Sequence, residues 1–209
     1  MPGRADAYTG TEMLADKEAV AMELSMPEKM AGELLEDVRL LETALTQDCP
    51  GCIAEISESH RRCASLLSDT TVWLFSAFLT PLPRAALGRL SQRLYACVGA
   101  VFSVSMLLPT RGGRRMAGGE EVAGLSRMCE LLAEAVGQLR KYAGRGHPAP
   151  PEPETFYAEV NKVRSAHALR LVHGDVSPHG RALENSLWEV AYCLREAYEE
   201  TVCLMLESI

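Results

Sequence analysis

From Pro83 onward, apolar side chains recur at Leu87, Leu90, Leu94, Cys97, Val98, Val101 and Leu108, with Ser105 in the same register. Steps of three and four gather these positions on one face of a helix, whereas a strand would scatter them over both faces. The same spacing returns at Val122, Leu125, Cys129, Leu132, Val136 and Leu139, and upstream at Leu34, Leu35, Val38, Leu41 and Leu45. Downstream it marks Phe156, Val160, Val163, His167 and Leu171, then Leu183, Leu187, Val190, Leu194, Tyr198, Thr201 and Met205. With one more helix between the break at 48–52 and Phe78, the pattern predicts six helices, over roughly 27–46, 53–79, 81–108, 119–143, 154–173 and 178–208.

The breaks between these stripes have physical causes. Thr80 is placed to cap the third helix, with Pro81 and Pro83 in its first turn, where a missing N–H breaks no intrahelical bond. Ser177 and Pro178 open the sixth helix in the same way. The glycine- and arginine-rich run 110–119 and the proline-rich linker 144–153 cannot continue a helix. Helices of this length joined by short connections predict an all-α protein, a six-helix antiparallel bundle. Residues 1–26 are expected as a partly ordered N-terminal extension with a loosely docked helix, and 27–209 as one bundle carrying the linker at 144–153.

Composition agrees with this reading. Of 209 residues, 47% are hydrophobic but only 6% aromatic, and isoleucine is scarce, so a large sheet lacks its usual β-branched and aromatic supply. The net charge of −7 argues against a general nucleic-acid binder, which depends on lysine and arginine to neutralise phosphates. The charge is uneven: −9 over residues 1–58, +7 over 59–151 and −5 over 152–209. The plainer reading pairs the basic helices with the acidic ones inside the bundle; the sharper one gives the protein a basic face for an anionic partner or membrane surface. The sequence shows no signal-peptide pattern at its start, and its longest apolar candidate, 97–108, is interrupted by Gly99, Ser103 and Ser105, so no membrane span is expected. Seven cysteines, mostly single within apolar stripes, suit a reducing, cytoplasmic setting.

Phe78-Leu79-Thr80-Pro81-Leu82-Pro83-Arg84, between one long helix and the next, resembles the Phe-x-Thr-Pro-x-x-Arg signature of PhoU-like proteins, here carried by Phe78, Thr80, Pro81 and Arg84. Residues 156–172 and 184–209 look like that family's fifth and closing helices. The resemblance spans about residues 27–209 and implies two three-helix units in one bundle. It also implies a non-enzymatic regulatory or adaptor role in phosphate homeostasis, at the cytoplasmic face of a Pit-type inorganic phosphate transporter, with the protein peripheral to the inner face of the membrane. Family members carry acid-x-x-x-acid pairs that grip metal ions. Here the corresponding positions are His60 and Ala64, Tyr95 and Gly99, Arg164 and Ala168, Arg195 and Glu199, with one carboxylate among the eight. No metal cluster and no cofactor is therefore expected.

Other chemistry-bearing groups have ordinary explanations. The acid pairs Glu33/Asp37, Glu130/Glu134 and Glu196/Glu200 read as solvated helix faces. Cys49-Pro50-Gly51-Cys52 has zinc or redox spacing but lacks a second ligand pair for zinc. His167 falls on an apolar stripe and is expected as a hydrogen-bonded interior residue, and Ser57 and Ser59 beside His60 share a helix too closely to form a nucleophile-base pair. Arg111, Arg114 and Arg115, in a glycine-rich loop, could bind an anion or an acidic partner without being a P-loop. Two rival readings stand beside the adaptor. One is a degenerate metal-binding bundle using Glu199, Glu200 and the His173/His179 loop; the other is a structural module that forms a homodimer.

Overall fold

A computed structural model describes residues 8–47, 49–76, 82–108, 119–142, 153–173 and 177–207. The described elements are all helices: α1 (Tyr8–Thr46), α2 (Pro50–Ser76), α3 (Arg84–Leu107), α4 (Gly119–Tyr142), α5 (Pro153–His173) and α6 (Pro178–Glu207). The apolar stripes are the buried faces. Leu34, Val38 and Leu41 of α1, Leu87, Leu90, Leu94 and Val101 of α3, Leu125, Leu132 and Val136 of α4, and Leu187, Val190 and Leu194 of α6 form one continuous core.

α3 sits at its centre, packed on α1, α2 and α6. By length and composition it is apolar enough to cross a membrane, with half of its most apolar window buried inside the bundle. Sequence reading stops that stretch at Ser103 and Ser105, but both hydroxyls bond back to carbonyls of their own helix, those of Gly99 and Phe102, and so cost little there. A helix covered on three sides needs apolar residues around most of its circumference.

Three helix starts differ from the sequence reading. α1 does not begin at Pro27 but runs through it from Tyr8. Proline inside a helix removes one backbone bond, yet Leu24, Pro27, Met30 and Ala31 are all buried, and the Thr70 hydroxyl of α2, which donates to the Leu66 carbonyl at 2.7 Å, rests 3.2 Å from Met26 Sδ. Packing on both sides of the proline holds the helix together. α2 starts at Pro50, the first helical position, where proline is best tolerated. α3 starts at Arg84 with Pro83 as its N-cap residue, whose carbonyl accepts from the N–H groups of Ala86 and Leu87; no side chain caps it. Thr80 is thus not the N-cap, and Phe78, Thr80 and Pro81 lie outside the described residues. The α6 start matches expectation: Ser177 Oγ accepts from the Gly180 N–H at 3.1 Å.

α5 is rotated at its end relative to its predicted stripe. Phe156, Val160 and Val163 are buried, but Leu171 is 52% exposed and Val172 76%. The inward position there belongs to Arg170, whose guanidinium approaches Glu121 of α4 at 3.2 Å and Glu184 of α6 at 3.8 Å. At 100° per residue, Arg170 and Leu171 cannot both face the same carboxylates.

Helix neighbours meet in a regular register. Along α1 and α2, Met26 meets Thr70, Glu33 meets Arg62 and Asp37 meets Ser59. Along α3 and α6, Arg89 meets Glu200, Arg93 meets Glu196 and the Leu107 carbonyl meets His179. α1 also packs on α4, where Arg39 and Glu42 face Glu130 and Ser126. Phe156 of α5 stacks on Tyr198 of α6 with ring centroids 3.9 Å apart.

Candidate functional site

Charged chemistry concentrates on the inner faces of α1 and α2. Asp37 follows Leu34 by three residues and precedes Leu41 by four, which puts it on the buried stripe rather than on a solvated face. Its Oδ2 accepts from the Ser59 hydroxyl at 2.8 Å, and Oδ1 has no hydrogen-bond partner. Burial pushes the Asp37 carboxyl up to about 7. One turn earlier, Glu33 accepts a two-pronged bond from Arg62, at 3.1 Å from Nε and 2.7 Å from Nη2, which holds its carboxyl below the usual range. Arg62 also reaches Glu55 at 3.1 Å. Cys63 is buried beside this group and its thiol is pushed up to about 12, chiefly by burial. The expectation of a solvated Glu33/Asp37 pair is therefore corrected: α2 covers it.

The other acid pairs are also occupied. Glu196 and Glu200 of α6 are partly buried and bind Arg93 and Arg89 of α3. Glu130 lies between Arg127, at 3.0 Å, and Arg39, and Glu134 accepts from Gln138. Arg62, Arg89 and Arg93 of the basic segment thus pair with Glu33, Glu200 and Glu196 of the acidic ones. Arg111, Arg114 and Arg115 lie outside the described residues.

The histidines are placed by aromatic packing. His60 of α2 stacks on Tyr95 at 5.3 Å and on Phe102 at 4.8 Å, both from α3, and a Cβ added at Gly99 would sit 3.9 Å from its Nε2. His167 is half-buried and stacks on Trp188 of α6 at 5.7 Å, so it lines the flank of the core rather than its interior. His179 Nε2 meets the Leu107 carbonyl at 3.0 Å. His179 and Glu199 stand twenty residues apart along α6, about 30 Å at 1.5 Å per residue. Glu199 pairs with Arg195 and accepts from Tyr157, while Glu200 pairs with Arg89. Among the described residues, no three histidine, cysteine, aspartate or glutamate side chains converge on a point that could hold a metal ion. The His173 side chain and Asp175 lie outside them.

Two surface features bear on the sequence motifs. A groove of about 380 Å³ between the end of α2 and the start of α3 is lined by Leu67, Thr70, Leu74, Phe75, Arg84 and Gly88, with Phe75 85% exposed. Arg84, the last residue of the Phe-x-Thr-Pro-x-x-Arg element, thus stands at its edge. At the α1–α2 turn, Cys49 and Cys52 are joined in a disulfide, where sequence reading expects an ordinary turn. The signal was present in the two-residue spacing; what the sequence could not supply is the partner choice, since five other cysteines compete for it.

Comparison with known proteins finds no family model and no curated protein that matches the chain.

Proposed function

We propose that this chain is a PhoU-like helical-bundle adaptor that acts by docking on the cytoplasmic face of an inorganic phosphate transporter rather than by catalysis. The observation that carries the reading is the pattern of helix contacts. α1, α2 and α3 pack on one another, α4, α5 and α6 do the same, and the two sets meet through α1 on α4 and α3 on α6. α1 and α2 pair in antiparallel register, as do α3 and α6, and this supports the two-unit plan that the resemblance implies. The resemblance places one expected acid pair at His60 and Ala64 and another at Tyr95 and Gly99, and His60 lies against Tyr95 and Gly99 across α2 and α3, which supports that alignment. A stack of His60, Tyr95 and Phe102 rings takes the place of facing carboxylates, which suits a docking protein better than a metal-dependent one.

The test is binding of the purified chain to liposomes containing the source organism's phosphate transporter, against empty liposomes, together with phosphate uptake by those vesicles. Saturable, transporter-dependent binding that alters uptake is expected. Equal binding to empty liposomes, or none to either, overturns the reading. A second reading, self-association as a homodimer, is favoured by the exposed Leu169 and Val172, three residues apart on one face of the end of α5. Sedimentation of the wild type and a Leu169→Ser, Val172→Ser variant separates the two: the dimer reading requires that the variant alone be monomeric.

A further inference from the structure

The seven cysteines fall into two chemical groups. Cys63, Cys97 and Cys129 are buried among apolar side chains, which raises each thiol and leaves it without thiolate character. Cys193 is half-buried and Cys203 exposed, and neither is bridged. Cys49 and Cys52 differ from all five. They are bridged, with Cα atoms 5.4 Å apart, and they flank the first turn of α2: Cys49 precedes Pro50, and the Cys52 N–H bonds to the Cys49 carbonyl at 3.1 Å. Cys49 is half-buried against the core, whereas Cys52 is 6% exposed.

This bridge is poorly suited to a structural role. It spans two intervening residues, the shortest kind of loop such a motif can close, so it removes little freedom from the unfolded chain. The helices on either side are held by their own contacts, Asp37 with Ser59 and Glu33 with Arg62. Its place at a helix N-terminus is suited to exchange, because the partial positive charge there stabilises a thiolate on either sulfur.

We propose that Cys49 and Cys52 form a reversible dithiol–disulfide couple that exchanges with thiols through Cys49. A thiolate attacks the Sγ of Cys49, the less buried of the two residues. The Cys49–Cys52 bond breaks, its electron pair passes to Cys52 Sγ, which leaves as a thiolate in the first turn of α2 and takes a proton from solvent. A second thiolate then attacks the outer sulfur of the mixed disulfide and releases Cys49. The protein disulfide gains two electrons, and two thiols become one disulfide. Pro50 and Gly51 complete the device: proline fixes the first helical residue without needing a donor, and a Cβ at Gly51 would meet nothing within 4 Å, so the turn is open to an incoming sulfur.

The full-length protein, equilibrated in glutathione buffers of graded ratio and quenched with a maleimide, reads this out by mass and peptide mapping after denaturation. Five labels are expected in oxidising buffer and seven in reducing buffer, with the two gained at Cys49 and Cys52 and the helical circular dichroism unchanged. Oxidised glutathione is expected to form an adduct on Cys49 in Cys52→Ser roughly tenfold faster than on Cys52 in Cys49→Ser. A bridge that never forms in oxidising buffer, or that yields to glutathione only once the protein unfolds, overturns the proposal. The wild-type measurement decides this even where a variant fails to fold, and equal adduct rates in the two variants overturn the assignment to Cys49.

Discussion

The Ser59 hydroxyl of α2 donates a hydrogen bond to Asp37 of α1 at 2.8 Å, and both residues are buried. One carboxylate oxygen is satisfied and the other is not, so the neutral acid suits this place better than the charged one. With the carboxyl at about 7 in the folded protein and near 3.8 in the unfolded chain, the folded state holds a proton between those values that the unfolded state has lost. Raising the pH through that window therefore penalises the fold. Wild-type stability, from urea unfolding, should fall by about 2–4 kcal/mol relative to Asp37→Asn as pH rises from about 4 to about 7. Parallel curves for the two proteins would show that Asp37 titrates normally.

Glu33 should act with the opposite sign. Its carboxyl is lowered by Arg62, so its contribution is present above the ordinary glutamate range and disappears as acid protonates it. Arg62→Ala should therefore cost most at neutral pH and little at about pH 3, measured by the same unfolding curves.

Glycines test the helix contacts. A Cβ added at Gly124 of α4 would lie 2.7 Å from Cγ2 of the buried, stiff Val163 of α5. Gly124→Ala should destabilise by about 1–3 kcal/mol. Gly32→Ala and Gly137→Ala meet nothing within 4 Å and should each stabilise by about 0.5–1 kcal/mol through helix propensity. Thermal melts of the three variants would separate close packing at α4–α5 from a uniform glycine effect.

Pairing between basic and acidic helices can be measured directly. A double-mutant cycle on Arg93 and Glu196 should give about 0.2–1 kcal/mol of coupling, shrinking as salt is added, because Arg93 is half-exposed. Zero coupling at low salt would leave the middle segment's charge without an internal partner at this site.

Leu94→Ala should cost about 2–5 kcal/mol, since Leu94 is buried at the centre of α3, while Leu171→Ser should change stability by less than about 0.5 kcal/mol. A comparable cost at both would restore the stripe that sequence periodicity assigned to α5.

Periodicity alone determined the helices, because burial of one helix face imposes its spacing on nearby residues whatever the partner is. Leu87 through Val101 and the Ser177–Pro178 cap were legible for that local reason. What covers each face is not local. Asp37 looked exposed as half of an acid pair and is buried because α2 lies across it; Leu171 looked buried and is exposed because Arg170 answers carboxylates on two other helices. Pro27 reads as a helix start by its own chemistry, yet packing on both sides carries α1 through it. Arg89 and Arg93 find Glu200 and Glu196 more than a hundred residues away. Such pairings depend on how helices are laid against one another, so only the tertiary structure decided them.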